Sequence, residues 1–431
     1  MNPPNILLIT VDCLRADHMS CYGYERQTTP HIDEFCKLST IYRNHMSNGP
    51  TTPNSFPSIM CSRYRFEMSD LGLPEKWITI AEMLKEIDYN TVGMSSMNPW
   101  TTSYFGYNKG FDVFKDYMDD IDANSLFDVE KMGRIKWIVK HIYDFIDGAM
   151  DRNQEQDLRF AKDVVGEIQK LKNTSPWFMW VHYMDAHTDY FPEHIHYGNK
   201  RLNTKWYVNI LNKIVVTEKH FSVGIRNDVM DLYDSAIRQV DEAIFNLIEN
   251  VDLENTMVII TSDHGEAFEE HGKWVHQYQS MYNELLGVPL IIHYPGQCDS
   301  EDFTMPTSSV DILPTISDVA GAFLPSAMRG SSLIGDMKKR PIFHEGLRDR
   351  SLEFTRHDIP RMRGVTFNGR RMMVGYNPDI RRLFDLDADP NEKENLVDNS
   401  HYDDTKRHLL ELIMDMKENQ KRTISLEGGN I

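Results

Sequence analysis

Residues 5–11 read NILLITV, seven residues without a charge, and the run ends at Asp12. An apolar run this long, lacking the alternation of a half-buried strand, is the pattern of a strand covered on both faces in a mostly parallel sheet. Ligands of open α/β sheets bind beyond the carboxyl ends of the strands. A polar residue at that place is therefore a candidate for chemistry, although a lone Asp there more often caps a helix. Here the pattern repeats. WFMWVH at 177–182 is a second buried run, leading into His182, Asp185 and His187. TMVIIT at 256–261 is a third, leading into Ser262, Asp263, His264 and Gly265.

The stretches between these runs have helical texture. Helices are expected at 29–38 after a Thr-Pro pair, at 78–88, at 227–250 and at 309–320. In the third of these, Val229, Leu232, Ile237, Val240, Ile244 and Leu247 share one side. Asn90–Met94 and LLGVPLIIH at 285–293 read as further strands. Alternating strands and helices predict an α/β fold with a large mixed, mostly parallel sheet flanked by helices. Past residue 338 the texture changes: PIFHEG, RGVTF, RMMVGY and RRLFDL precede a helix near 403–420. That predicts a small antiparallel sheet with one helix, and hence a division into 1–338 and 339–431. Residues 119–160 read as a helical insertion in the larger part, with the Met-rich and aromatic positions of 127–150 packing or forming one wall of a pocket.

Composition narrows the function. The 431 residues, 41% hydrophobic and 26% charged, suit a globular chain with a sizeable core. A formal charge of −19 argues against a nucleic-acid partner and leaves carboxylates to gather around a cation. Five cysteines (Cys13, Cys21, Cys36, Cys61, Cys298) without a C-x-x-C pair predict reduced thiols rather than a disulfide framework. The start, MNPPNILLIT, lacks a basic region and a spanning apolar run, so a cytoplasmic enzyme without a membrane partner is expected. A homo-oligomer is compatible with this composition. Asp12, Asp263 and His264 are hard oxygen and nitrogen donors suited to a divalent cation such as Mg²⁺, Mn²⁺, Ca²⁺ or Zn²⁺.

Several segments together resemble the sulfatase family of the alkaline phosphatase superfamily. NILLITVDCLRADHMSCYGYERQTTPHID at 5–33 is similar to the family's opening, and TSDHGEAFEEHGKWVHQYQSMYNELLGVPLIIHYPG at 261–296 to its second metal motif. WFMWVHYMDAHTDY, GYNKGFDVF, SSVDILPTISDVAG and RRLFDLDADPNEKENL resemble further landmarks, in the family's order, out to residue 397. The resemblance implies a metal-dependent ester hydrolase in which Asp12, Asp263 and His264 bind the metal. His187 and His276 would contact the ester oxygens or protonate the leaving group, and Arg15 would orient the metal-binding carboxylates. Cys13 stands where many members have a second Asp, so one metal carboxylate is missing and the nucleophile would complete the site. Asn98 stands where other members have a substrate-binding Lys-x-His pair.

The nucleophile departs most. The family's motif is C-x-P-S-R or S-x-P-S-R, whose first residue becomes formylglycine; here the segment is GPTTPNSFPSIMCSRY at 49–64. Aligning Ser55 and Arg63-Tyr64 puts Thr52 at the nucleophile position, with Thr51 the neighbouring alternative. Phe56 takes the place of the motif's Arg, so no formylglycine is expected, and Thr52 would also be a metal ligand. A metal would have to activate the unmodified hydroxyl. That chemistry favours phosphorus esters, whereas the family favours small-molecule or glycan sulfates, and both substrate classes stand. Two rivals share the scaffold: a phospho-group transferase, and a metal-binding homologue without activity.

Overall fold

The computed structural model describes residues 3–68, 72–118, 154–172, 174, 176–204, 207–209, 211, 222–323, 328–347, 361–376 and 379–426. In chain order the strands are β1 (Asn5–Val11), β2 (Thr40–Tyr42), β3 (His45–Met46), β4 (Asn90–Ser95), β5 (Val113–Lys115), β6 (Trp177–Tyr183) and β7 (Thr256–Ser262). There follow β8 (Leu290–His293), β9 (Glu301–Phe303), β10 (Thr307–Ser308), β11 (Ile342–Leu347), β12 (Arg361–Phe367), β13 (Arg370–Tyr376) and β14 (Ile380–Asp385). The main sheet has the order β5-β4-β6-β1-β7-β8-β2-β9. Its pairs are parallel except those of β8, which runs against both β7 and β2.

β1 is the centre, as its sequence requires. Leu7, Ile9 and Val11 feed one apolar layer, which packs against helices Gln154–Leu171 and Val223–Ile248. Ile6 and Leu8 feed the layer on the other face, under helices Thr52–Cys61, Ile80–Lys85 and Ile312–Ala320. All five side chains are fully buried, at about 1.5–3 kcal/mol each. The three buried runs lie side by side, and their register is what matters for the site. Val11 pairs with Tyr183 on one side and Ser262 on the other. Asp12 and Asp263 therefore leave the sheet at the same level, and the Asp12 N–H still reaches the Tyr183 carbonyl at 2.8 Å.

The second sheet, β11-β12-β13-β14, is antiparallel throughout. Val365, Met372, Val374 and Leu383 on one face meet Leu409 and Ile413 of helix Asp403–Leu426. Met362, Met373 and Phe384 on the other face meet Met281, Tyr282 and Leu286 of the larger body. Phe343, Phe66 and Tyr64 extend this apolar joint.

Some boundaries differ from the sequence reading. The run 285–293 is two elements: Asn283–Leu286 is a helical turn, and the strand begins only at Leu290. Gly287, Val288 and Pro289 separate them, and Pro289 lacks the N–H a ladder needs. The helix expected at 78–88 is confined to Ile80–Lys85 by a capping box, in which Thr79 and Glu82 bond each other's backbone. The 309–320 helix opens with a 3₁₀ turn, Ser309–Asp311. Of the insertion expected at 119–160, the part up to 153 lies outside the described residues, as do positions 127–150; helix Gln154–Leu171 is its described end. All five cysteines are free, with Cys13, Cys36 and Cys61 buried, Cys21 partly buried and Cys298 exposed.

Candidate active site

Asp12 follows the last residue of β1 and is fully buried. Asp263 and His264 follow β7 and are equally buried. Helix Thr52–Cys61 points its first turn at them: Thr52 Oγ1 lies 3.4 Å from Asp12 Oδ2 and 3.3 Å from His264 Nε2. The helix cap is Thr51, in extended backbone, and Thr52 is the first helical residue. Thr51 Oγ1 is taken up by Asn54 Nδ2 at 2.5 Å, so of the two threonines it is Thr52 that meets the carboxylate and imidazole. Pro53 has no N–H, and the Asn54 and Ser55 N–H groups return to the Thr51 carbonyl at 2.9 and 3.1 Å, so the helix start is closed by its own cap.

The Asp-His-Gly turn has a steric reason. A Cβ on Gly265 would come within 2.1 Å of the Glu284 carbonyl oxygen. Its neighbour His264 bonds the Gly265 carbonyl through Nδ1 at 2.9 Å, which leaves Nε2 facing Asp12, Asp263 and Thr52. Cys13 has φ 61°, a left-handed backbone that costs a non-glycine residue about 1 kcal/mol or more. Its N–H reaches Asp263 Oδ1 at 3.4 Å and its carbonyl accepts the Tyr233 hydroxyl at 2.7 Å, which together hold the bend.

Electrostatics explain what this cluster lacks. The ligand atoms of Asp12, Asp263 and His264 lie within 4.8 Å of one another. Two carboxylates at about 4 Å repel by about 4 kcal/mol at an effective dielectric of about 20. Burial opposes the charge on Asp12, yet His187, His182 and His264 hold its carboxyl well below the ordinary range. Asp263 yields instead: burial, and then the charge on Asp12, push it up to about 8. Burial and the neighbouring His276 bring His264 down to about 4, so the ring is a neutral donor. Asp263 Oδ1 accepts from the His264 N–H at 2.9 Å, whereas the buried Oδ2 lies 3.3 Å from His264 Nε2 and accepts no hydrogen bond among the described residues. Two hard carboxylates, a neutral imidazole, a hydroxyl and an orphaned oxygen fit a divalent cation.

Around this core stand residues of three kinds. Asn98 donates to Asp12 Oδ2 at 2.6 Å, with His182 Nε2 3.1 Å from the same amide nitrogen. His182 is anchored at Nδ1 by Thr10 Oγ1 at 3.0 Å and is fully buried, in keeping with its place inside a strand. His276 sits between His264 and His187, its ring tilted to both, with ring centres 4.7 and 5.0 Å away. Arg15 differs from expectation: it pairs with Asp17 and Glu270 at 2.8 Å each and donates to the Glu266 carbonyl at 2.9 Å, not to Asp12 or Asp263. Leu14 and Arg15 turn away after the Cys13 bend, so the guanidinium braces the loop after β7 instead.

Glu266 escaped the sequence reading. It is fully buried, and its Oε1 lies 3.0 Å from His276 Nδ1. Its Oε2 accepts from Thr188 Oγ1 at 2.9 Å and the Tyr190 hydroxyl at 3.3 Å. Burial works against protonated His276, but Glu266 outweighs it and raises that imidazole. Nothing distinguishes Glu266 from Glu269 and Glu270 in the sequence, apart from its position two residues after His264. His271, by contrast, bonds Glu284 at 2.9 Å and the Asn391 and Glu392 carbonyls at 3.1 Å, and so orders the loop.

A hydroxyl at a helix start, aimed at carboxylates and imidazoles beyond the carboxyl ends of a mostly parallel sheet, defines a class: an α/β ester hydrolase of the alkaline phosphatase superfamily. Within it, this chain belongs to the sulfatase family, whose model matches residues 4–322. A second model, described as the C-terminal part of N-sulphoglucosamine sulphohydrolase, matches residues 269–419. The chain is 26% identical over 78% of its length to an ulvan-active sulfatase of Formosa agariphila and spans 65% of that relative. It is 22% identical over 97% of its length to an N-acetylglucosamine-6-O-sulfatase of Bacteroides thetaiotaomicron, spanning 87% of it. The phosphonate monoester hydrolase of Agrobacterium radiobacter shares the fold, with a TM-score of 0.73 at 17% identity over 97% of this chain and 96% of that one. The protein is a hydrolase acting on sulfate or phosphate ester bonds.

Proposed function

We propose that the chain cleaves sulfate or phosphorus esters of small molecules or glycans by in-line attack of Thr52 Oγ1, forming a covalent Thr52 ester that water then hydrolyses. The observation that carries this reading is the placement of Thr52 Oγ1, 3.4 Å from Asp12 and 3.3 Å from His264, in the first turn of a buried helix. Asp12, Asp263, His264 and Thr52 would hold a divalent ion. When bound, such an ion lowers the hydroxyl's pKa and offsets charge on the ester oxygens. Asn98 and His182 fix Asp12 in place. His276, poised by Glu266, gives its proton to the leaving oxygen, and His187 contacts the ester from the same side. Thr52 carries no second hydroxyl of the kind a formylglycine hydrate uses to expel sulfate, which favours phosphorus esters.

The test is hydrolysis of nitrophenyl sulfate, phosphate monoester and phosphate diester, each with Mn²⁺, Mg²⁺, Ca²⁺ or Zn²⁺, beside a Thr52→Ala variant. The expected outcome is metal-dependent turnover of a phosphorus ester that the variant lacks. Turnover that survives in Thr52→Ala would remove the threonine from the mechanism. Turnover of the sulfate alone would overturn the preference for phosphorus.

A further inference from the structure

A cavity of about 510 Å³ opens at the seam between the larger body and the second sheet, and none of the active-site residues lines it. The register of that sheet shows how far away it lies. The Leu347 N–H bonds Asn54 Oδ1 of the Thr52 helix at 3.1 Å, and Leu347 pairs with Arg361. Five residues back along β11, Ile342 pairs with Thr366, which lines the cavity. At about 3.3 Å per residue the cavity stands about 17 Å from the contact with the Thr52 helix. Its rim is tied in place. Asn44 Nδ2 donates to the Thr304 carbonyl at 2.6 Å, the Leu386 N–H to the Gly369 carbonyl at 2.8 Å, and the Asn283 N–H to Glu392 Oε2 at 2.6 Å. A pre-formed cavity of this size at a junction between two units suits a small molecule.

The lining selects the kind of molecule. Phe367, half-buried beside the β12–β13 turn, supplies an apolar ring. Asn283 and Asn368 supply carboxamides, and among the described residues neither side chain makes a hydrogen bond. Of the three charged residues in the lining, Arg340 is paired with Asp311 and Asp387 with Arg370. That leaves Lys339, whose ammonium has no counter-ion among the described residues. We infer that this cavity binds an anionic sugar, its C–H face on Phe367, its hydroxyls at Asn283 and Asn368, and its anionic group at Lys339. A carboxamide both donates and accepts, as a pair of neighbouring hydroxyls does. The ammonium serves an anion as a point charge, and the aromatic ring covers the apolar face of the pyranose. A bare anion would use one of these three features, and an apolar molecule would cover the amides without bonding them.

The test needs neither turnover nor metal, so it stands apart from the Thr52 reading. The full chain, stripped with a chelator so that no cation holds a carboxylate at Asp12, is mixed with glucuronate, glucose or acetate, and saturation transfer to each is followed by NMR. Glucuronate is expected to receive saturation on its ring protons, and glucose to bind about tenfold or more weakly for want of the charged contact. Acetate should neither bind nor compete. Lys339→Ala/Asn368→Gly should weaken glucuronate by about tenfold or more, and glycine keeps the left-handed backbone of Asn368 at φ 49°. Lys339→Ala alone, on an exposed residue, serves if the double variant fails to fold; it should bring glucuronate down to the affinity of glucose. Glucuronate binding that survives both variants, or that glucose equals or acetate displaces, would overturn the inference, as would no saturation at all. Binding lost in Asp263→Asn would place the sugar in the active site and also overturn it. A tetrasaccharide ending in a uronate separates two sources of the ligand. Affinity about tenfold above that of glucuronate assigns the cavity to a glycan chain, and equal affinity to the free sugar acid; either upholds the site.

Discussion

At the joint between the two sheets, Arg371 is fully buried, with Nη1 3.0 Å from Glu392 Oε1 and Nε 3.0 Å from Thr366 Oγ1. Glu392 Oε2 in turn accepts the Asn283 N–H at 2.6 Å. Beyond β1 and β7, Asp263 is buried to the same degree, yet it shares its pit with the carboxylate of Asp12, and among the described residues its Oδ2 accepts no hydrogen bond. The joint completes its charges from within the chain; the pit needs a cation from outside. Charge paired by the chain holds parts together, and charge left short marks where something binds.

The contrast can be broken most sharply at Asp263. Asp263→Asn should lower turnover by ~10³-fold or more, since even outer partners of metal ligands cost about 10- to 100-fold. The same change should raise the melting temperature of the chelated protein at neutral pH, because an amide spares the proton uptake that burial and Asp12 impose on the Asp263 carboxyl in the folded state. A variant that loses both activity and stability would place Asp263 with the joint. Next in size, Arg371→Met should cost about 3 kcal/mol in urea unfolding, by leaving Glu392 buried and unpaired. Its metal uptake should stay unchanged under native conditions. Third, a divalent ion at about a hundred times its dissociation constant should stabilise the stripped wild type by about 2.7 kcal/mol, measured by thermal unfolding. Asp263→Asn should lose most of that gain.

The smallest effect concerns two histidines near the joint. His344 bonds the Ser47 carbonyl at 2.8 Å and Thr366 Oγ1 at 3.0 Å, and His45 bonds Thr307 Oγ1 at 2.9 Å. Burial, and then Arg371 for His344 and Arg340 for His45, bring both down to about 3. The unfolded chain takes up protons first, near pH 6.5, so stability is present above that pH and is lost as pH falls toward 3. Between pH 6.5 and 5.5 the loss is about 1 kcal/mol per histidine. Urea midpoints of wild type against His344→Gln over this range isolate one of them; parallel curves would show that His344 carries no such linkage.

Much of this was legible because buried parallel strands leave a plain mark. Three unbroken apolar runs, each ended by polar residues, located β1, β6 and β7 and the edge where Asp12, Asp263 and His264 gather. Short strands such as β2, β5 and β9 left none, since three residues carry no period. Arg15 was misread because its role depends on the direction the chain takes after Cys13, and φ at that residue is not written in its type. Glu266 was hidden among nearby acids, since burial depends on how the loop closes over Gly265. Asn98 was noted for what it replaced; that it holds Asp12 at 2.6 Å follows from β4 lying next to β6, a matter of strand order.

The register that levels Asp12 with Asp263 also has a meaning in time. β1 is made first, but one of its partners begins at residue 177 and the other at residue 256. A growing chain holds this central strand with neither partner until residue 177 and with only one until residue 256, and long-range parallel pairing is slow and exposed to aggregation. The cation site cannot exist until β7 has docked against β1 and brought Asp263 and His264 with it. Metal uptake thus reports the docking of β7 against β1, and a bound ion would tie together two strands made far apart in the chain.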